Sequence, residues 1–197
     1  MNDTLALPTG PLADASLALA RKTESTEIAE HSIRSFLFAR LLAEKEGSVH
    51  DAAFDEDLLF AACVLHDLGL GTLAQGQARF EVEGADLAAS VLTEHGVTAA
   101  DVDRVWVAIA LHSSVGIADR DRCELLTSLT HRGVFIDAGT FTDLDAADRD
   151  PIYAVYARPE GPGFMRDAIV EHAARSAAAA PPYSMAAQLL GQRQARA

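Results

Sequence analysis

Cysteine is almost absent from this chain: Cys63 and Cys123 are the only two in 197 residues. Each falls in an apolar, helix-like pattern, which excludes a disulfide framework and sets the expectation of a reducing cytoplasm. Long apolar runs are missing too, and none approaches the ~20 residues of a membrane span. The opening MNDTLALPTGPLADAS has neither the basic start nor the apolar core of a secretory leader. Basic charge is scarce, with 16 Lys and Arg against 29 Asp and Glu, and Lys22 and Lys45 are the only lysines. The net charge of −13 speaks against nucleic acid or an anionic membrane as partner, and against a large polyanionic substrate. Strand-like alternation is absent throughout.

What remains is helical. Apolar residues make up 49% of the chain, enough for one sizeable core at this length. A weak amphipathic helix is expected over Pro11–Arg21, through Leu12, Ala15 and Leu19. Ser25 and Thr26 are placed to cap a long helix over Glu27–Glu46, which Gly47 ends. Ile33, Phe36, Leu37 and Leu41 line one of its faces, and Phe38 and Leu42 another, the pattern of a central helix. Asp55 opens the next helix, where Leu58, Ala61, Ala62, Leu65 and Leu68 recur at helical spacing up to Gly69. Further helices are expected over Arg79–Glu94, from Thr98 to His112, and from Cys123 to Ala138. Asp150-Pro151 and Arg158-Pro159 break the next stretch of chain, before a helix over Phe164–Ala180, the stop at Pro181-Pro182 and a short tail helix. The expectation is an all-α, single-domain helical bundle at 25–180. An N-terminal extension with a short helix (1–24) precedes it, and a tail with a short helix (181–197) completes the chain.

Four polar residues stand where apolar helices have no use for them. His31 shares a face with Phe38 and Leu42. His66 and Asp67 close the Leu58 helix, and Asp137 comes after Leu126, Leu129 and Gly133 along one stripe. Taken singly, a core histidine bonded to a carbonyl, or a His-Asp pair meeting water, is the plainer reading. Together, two histidines and two carboxylates from three separate helices form an N/O donor set suited to one divalent ion, Zn²⁺ foremost, with Fe²⁺ or Mn²⁺ as alternatives.

The order His31, His66-Asp67, Asp137 resembles the defining pattern of the HD-domain metallohydrolase superfamily. HSIRSFLFARLL, FDEDLLFAACVLHDLGL, RFEVEGADLAASVLTEHGV, VWVAIALHSSVGIA and THRGVFID are similar to successive blocks of its cyanamide hydratase-like branch. The resemblance covers roughly residues 25–140 and implies a helical bundle of the HD-domain type with one metal ion. The ion would be held by His31, His66, Asp67 and Asp137. Arg132 and Phe135 depart from that branch, where small residues are usual, so the pocket is expected to differ. His112 matches a histidine placed over the metal and is read as catalytic without ligating, with Asp67 accepting a proton from water. Arg34 is a candidate to hold a ligand carboxylate or to pair with Asp67. Glu81 on the apolar side of its helix, and Ser113 in the turn beside His112, are candidates to support or bind the substrate. His131 is a weak candidate for a second ion, and His50, His95 and His172 read as surface residues.

Two motifs mislead. Gly69-Leu70-Gly71-Thr72-Leu73-Ala74 imitates a dinucleotide fingerprint but comes after a helix, not a strand. Cys63, three residues before His66, suggests a Cys–His dyad but has the apolar neighbours of a small core residue. The expected activity is metal-dependent addition of water to a small nitrile-like molecule, with cyanamide to urea the example the resemblance suggests. A phosphohydrolase of nucleotides or small phosphate esters is the alternative, which Arg34, Arg79, Arg120, Arg122 and Arg132 would serve. A non-catalytic ligand-binding module is the third. The expected partner is a small-molecule substrate, and a homo-oligomer stays open.

Overall fold

Helix α3, Glu56–Leu65, is apolar all round, and every residue from Leu58 to Leu65 is buried, so the rest of the molecule packs about it. The structure is a computed structural model that describes residues 5–120, 122–159, 161 and 163–196. The first four residues of the expected extension and the last of the tail lie outside these. Around α3 come α1 (Pro11–Thr23), α2 (Thr26–Glu46), α4 (Phe80–Glu94), α5 (Ala99–Leu111) and α6 (Leu125–Asp137). Three more complete the order: α7 (Ala146–Val155), α8 (Gly163–Ala173) and α9 (Met185–Gln194). The fold is all-α, with no strand among the described residues.

Local signals explain the starts. Ser25 Oγ accepts the Ile28 N–H, Asp55 Oδ1 the Leu58 N–H, and Thr98 Oγ1 the Asp101 N–H, each filling a donor the first turn leaves unpaired. Packing does the rest. Helix α2 lies along α6, α4 along α5, and α1, α2, α5 and α6 all contact α3. The α2–α6 crossing is tight because Gly133 has no side chain: a Cβ there would come 2.3 Å from the Ser35 carbonyl oxygen. Helices α8 and α9 close over a second apolar cluster of Phe80, Ile169, Ala173 and Ala186.

Four local expectations differ from the structure. Cys123 lies in the loop before α6, which starts at Leu125. Pro151 does not break the chain; α7 runs through it, started by a reciprocal Asp145–Asp148 capping box, and Pro151 is exposed. Helix α8 stops at Ala173, not Ala180. Arg175 and Ser176 are drawn instead to the 74–76 loop, Arg175 Nη1 donating to Ala74 O at 2.7 Å and Ser176 Oγ to Gly76 O at 2.6 Å. His172, read as a surface residue, is buried, and its Nε2 donates to Ala78 O at 2.9 Å. The last two turn on contacts between segments distant in sequence.

Candidate metal centre

Helix α3 ends at Leu65, His66 still holds helical dihedrals, and Asp67 turns the chain into a short 3-10 turn over Leu68–Leu70. Gly69 lets the first turn of α4 cross directly over this corner, since a Cβ there would fall 1.9 Å from Phe80 O. The corner and the start of α4 thus form one rigid piece, which His31 meets from α2 and His112 from the end of α5.

Three imidazoles surround Asp67. His66 Nε2 lies 3.2 Å and His31 Nε2 3.9 Å from Asp67 Oδ2, and His112 Nε2 is 3.9 Å from Asp67 Oδ1. The His66 ring makes edge contacts with those of His31 and His112, at centroid separations of 5.2 and 4.7 Å. Backbone carbonyls set the tautomers. His66 Nδ1 donates to Cys63 O and His112 Nδ1 to Ile109 O, each at 2.6 Å, so both Nε2 atoms turn inward. Exposure is 5% at His31, 3% at His112, 1% at Asp67 and 0% at His66, so all four side chains are buried.

Burial alone would push the Asp67 carboxyl up, but His66, His112 and His31 hold it well below the usual carboxylate range. Burial would push the His66 ring down, but Asp67 holds it above its ordinary value. His112 goes the other way. Burial and then His66 push it down to about 4 against Asp67 and Glu81, so near neutral pH it is an uncharged ring.

Asp137 stands behind His31. Its Oδ2 accepts from His31 Nδ1 at 2.6 Å and from Arg34 Nη2 at 2.9 Å, and its Oδ1 from Arg34 Nε at 2.7 Å. Arg34 therefore grips Asp137 rather than Asp67 and is itself fully buried. Burial pushes the Asp137 carboxyl up, and the bonds from His31 and Arg34 bring it down to about 2. Glu81 is buried beside the centre, accepting from Arg79 Nη2 at 2.7 Å and from Ser113 Oγ at 2.6 Å, which ties α4 to the turn after α5. His131 is outside the group; its Nδ1 donates to His112 O at 2.6 Å and braces that turn from α6. Arg132 pairs with Glu46 and Asp143, and Phe135 packs on His131 and Phe141. Burial pushes the Cys63 thiol up to about 12, as suits a core residue and not a nucleophile. Glu24 escaped the sequence reading, since an acid just ahead of a helix cap ordinarily faces water. Burial and nearby Asp67 push its carboxyl well above the usual range.

The residues fit a metal ion. His66 Nε2 and Asp67 Oδ2 are buried without a hydrogen-bond partner among the described residues, although 3.2 Å apart. Donor atoms of His31, His66 and Asp67 lie within 4.8 Å of one another, and one cation among them would answer both orphaned atoms. Of the four ligands expected from sequence, these three form the group, and Asp137 adjoins it through His31. A cleft of about 850 Å³ lies elsewhere, lined by Glu46, Asp119, Arg132 and Phe141 among others.

The HD domain family matches residues 28–149, well over half of the chain and the whole stretch from His31 to Asp137. The chain belongs to the HD domain family. HD domains are typically metal-dependent hydrolases, phosphohydrolases among them, and the buried His–Asp group of this one suits a divalent ion. No curated protein matches the chain.

Proposed function

We propose that this HD-domain protein adds water to a small nitrile-like molecule such as cyanamide, giving urea, at a centre where His31, His66 and Asp67 hold one divalent ion, Zn²⁺ foremost. The observation that carries the metal reading is the pair of orphaned buried atoms, His66 Nε2 and Asp67 Oδ2. The small substrate is supported by how closed the centre is, with none of its four side chains more than 5% exposed. The cyanamide hydratase-like blocks of the sequence supply the substrate class.

An ion bound here supplies electrophilic polarisation and a water acidic enough to lose a proton near neutral pH. The residues do the rest. Asp67 Oδ1 and His112 Nε2, 3.9 Å apart, face the same space and offer two acceptors for that proton. His112, uncharged and fixed by Ile109 O, holds the proton at Nε2 and returns it to the nitrile nitrogen as the C–O bond forms. The isourea that results tautomerises to urea. Glu81 and Ser113 keep the turn bearing His112 in place, and Asp137 with Arg34 fixes the His31 ring. Phosphate-ester hydrolysis is less well served. Arg34, Arg79 and Arg132 are tied to Asp137, to Glu81, and to Glu46 with Asp143. A non-catalytic binding role would leave the inward-facing Nε2 of His112 without a use.

The test is elemental analysis of the purified protein, then parallel assays for urea from cyanamide and phosphate from nucleotide monophosphates. One metal per chain with urea release is the expected result. Phosphate release without urea would replace this reading with the phosphohydrolase, and bound metal with neither product would favour the binding module.

A further inference from the structure

Glu24 sits between α1 and α2, immediately ahead of the Ser25 cap. It lines a cleft of about 540 Å³ together with Ile28, Leu70, Thr72 and Phe164. Ile28 is one helical turn ahead of His31 and Leu70 is three residues past Asp67, so the elements that line this cleft are the ones that carry the metal centre. Although the cleft is open, both Glu24 carboxylate oxygens are shielded from solvent and neither has a hydrogen-bond partner among the described residues. They are close enough to Asp67 for its charge to be felt. Neighbouring acids behave otherwise: Glu83 collects the N–H groups of residues 75–78, and Glu81 is tied to Arg79 and Ser113. A buried carboxyl left unmet costs stability, and no group among the described residues answers this one.

We propose that Glu24 is a substrate-binding residue, whose inward oxygens accept a hydrogen bond from an N–H group of the small molecule reaching the centre through this cleft. The inference rests on the hydration reading and adds a selection rule to it. With the nitrile carbon at the His–Asp centre, the amino group of cyanamide points toward Glu24 and fills its empty acceptors. A nitrile lacking N–H leaves them unmet.

The experiment compares wild type, Glu24→Leu and Glu24→Gln, each metal-loaded, with cyanamide and N,N-dimethylcyanamide, which share the nitrile and differ in N–H. Metal content and melting temperature should hold or, for the melting temperature of Glu24→Leu, rise. The KM for cyanamide should increase about tenfold in Glu24→Leu, the worth of one hydrogen bond, and less in Glu24→Gln, which keeps one acceptor. The KM for the dimethyl compound should change less than about twofold in both variants. Equal increases for both compounds, loss of metal, or a fall in melting temperature in both variants would overturn the proposal and make Glu24 a ligand or a structural residue. If wild type forms no urea, the hydration reading fails separately, and the pair is titrated by calorimetry. Cyanamide binding weakened about tenfold by Glu24→Leu sustains the subsite. Binding that is equal in the two proteins, or absent from wild type, overturns it.

Discussion

His112 and Asp137 are the residues where geometry says most about role. His112 turns its unprotonated Nε2 toward Asp67 at 3.9 Å, while its Nδ1 is fixed on Ile109 O. His112→Asn should therefore lower kcat by about 10²–10⁴-fold with metal content unchanged, the usual worth of one proton-transfer group. Loss of metal from that variant would make His112 a ligand. Asp137 meets the centre through His31 Nδ1, the contact of a carboxylate that would orient the ring if His31 holds the proposed ion. Asp137→Ala should weaken metal affinity by about 10–100-fold, measured by competition with a chelator, and abolition would return Asp137 to the ligand set. The same group carries a pH signature. Its folded value of about 2 lies below the ordinary 3.8, so its stabilisation is complete above about pH 4 and is lost as pH falls toward 2. The loss amounts to about 2 kcal/mol, and Asp137→Asn should flatten this part of the acid-unfolding curve of the metal-free protein.

At the scale of elements, two glycines let helix and turn approach far enough to build the site. Gly69 brings α4 over the His66–Asp67 corner, and Gly133 brings α6 against α2 between Ser35 O and the Ala39 side chain. The second contact sets how far Asp137 stands from His31, since the two residues ride on those helices. Gly133→Ala should push α2 and α6 apart, destabilising the fold by roughly 1–3 kcal/mol, and should also weaken metal binding. Denaturant unfolding and then metal titration check both effects. A variant with wild-type stability would show that the crossing can yield without strain.

For the whole molecule, the buried orphan atoms imply that folding and metal binding are linked. At a metal concentration about a hundred times Kd, the ion should add about 2.7 kcal/mol. That is roughly 5–10 °C in Tm for a chain of this size. Chelation should reverse the shift, and re-addition of Zn²⁺, Fe²⁺ or Mn²⁺ one at a time should rank the ions by the Tm each restores. A Tm indifferent to chelator would remove the metal from the reading.

The order of helices, the buried character of α2 and α3 and the polar residues out of place along them were legible in the sequence because they are local. Periodicity, caps at Ser25, Asp55 and Thr98, and a histidine on an apolar face all lie within a few turns of one another. Helix α8, cut short by Arg175 and Ser176 bonding to the 74–76 loop, was not legible, because its end is decided by residues about a hundred positions away. The same holds for His172, which turns inward to Ala78, and for Arg34, whose spacing from His31 was plain but whose partner Asp137 comes from another helix. Glu24 is the extreme case: nothing local distinguishes it from a solvated acid, and only the packing around the α1–α2 junction shields its carboxylate near Asp67. Sequence by itself determined which chemical groups this protein has and which helices carry them. The tertiary structure alone decided which groups face one another, because burial and pairing depend on distances between elements that no local pattern encodes.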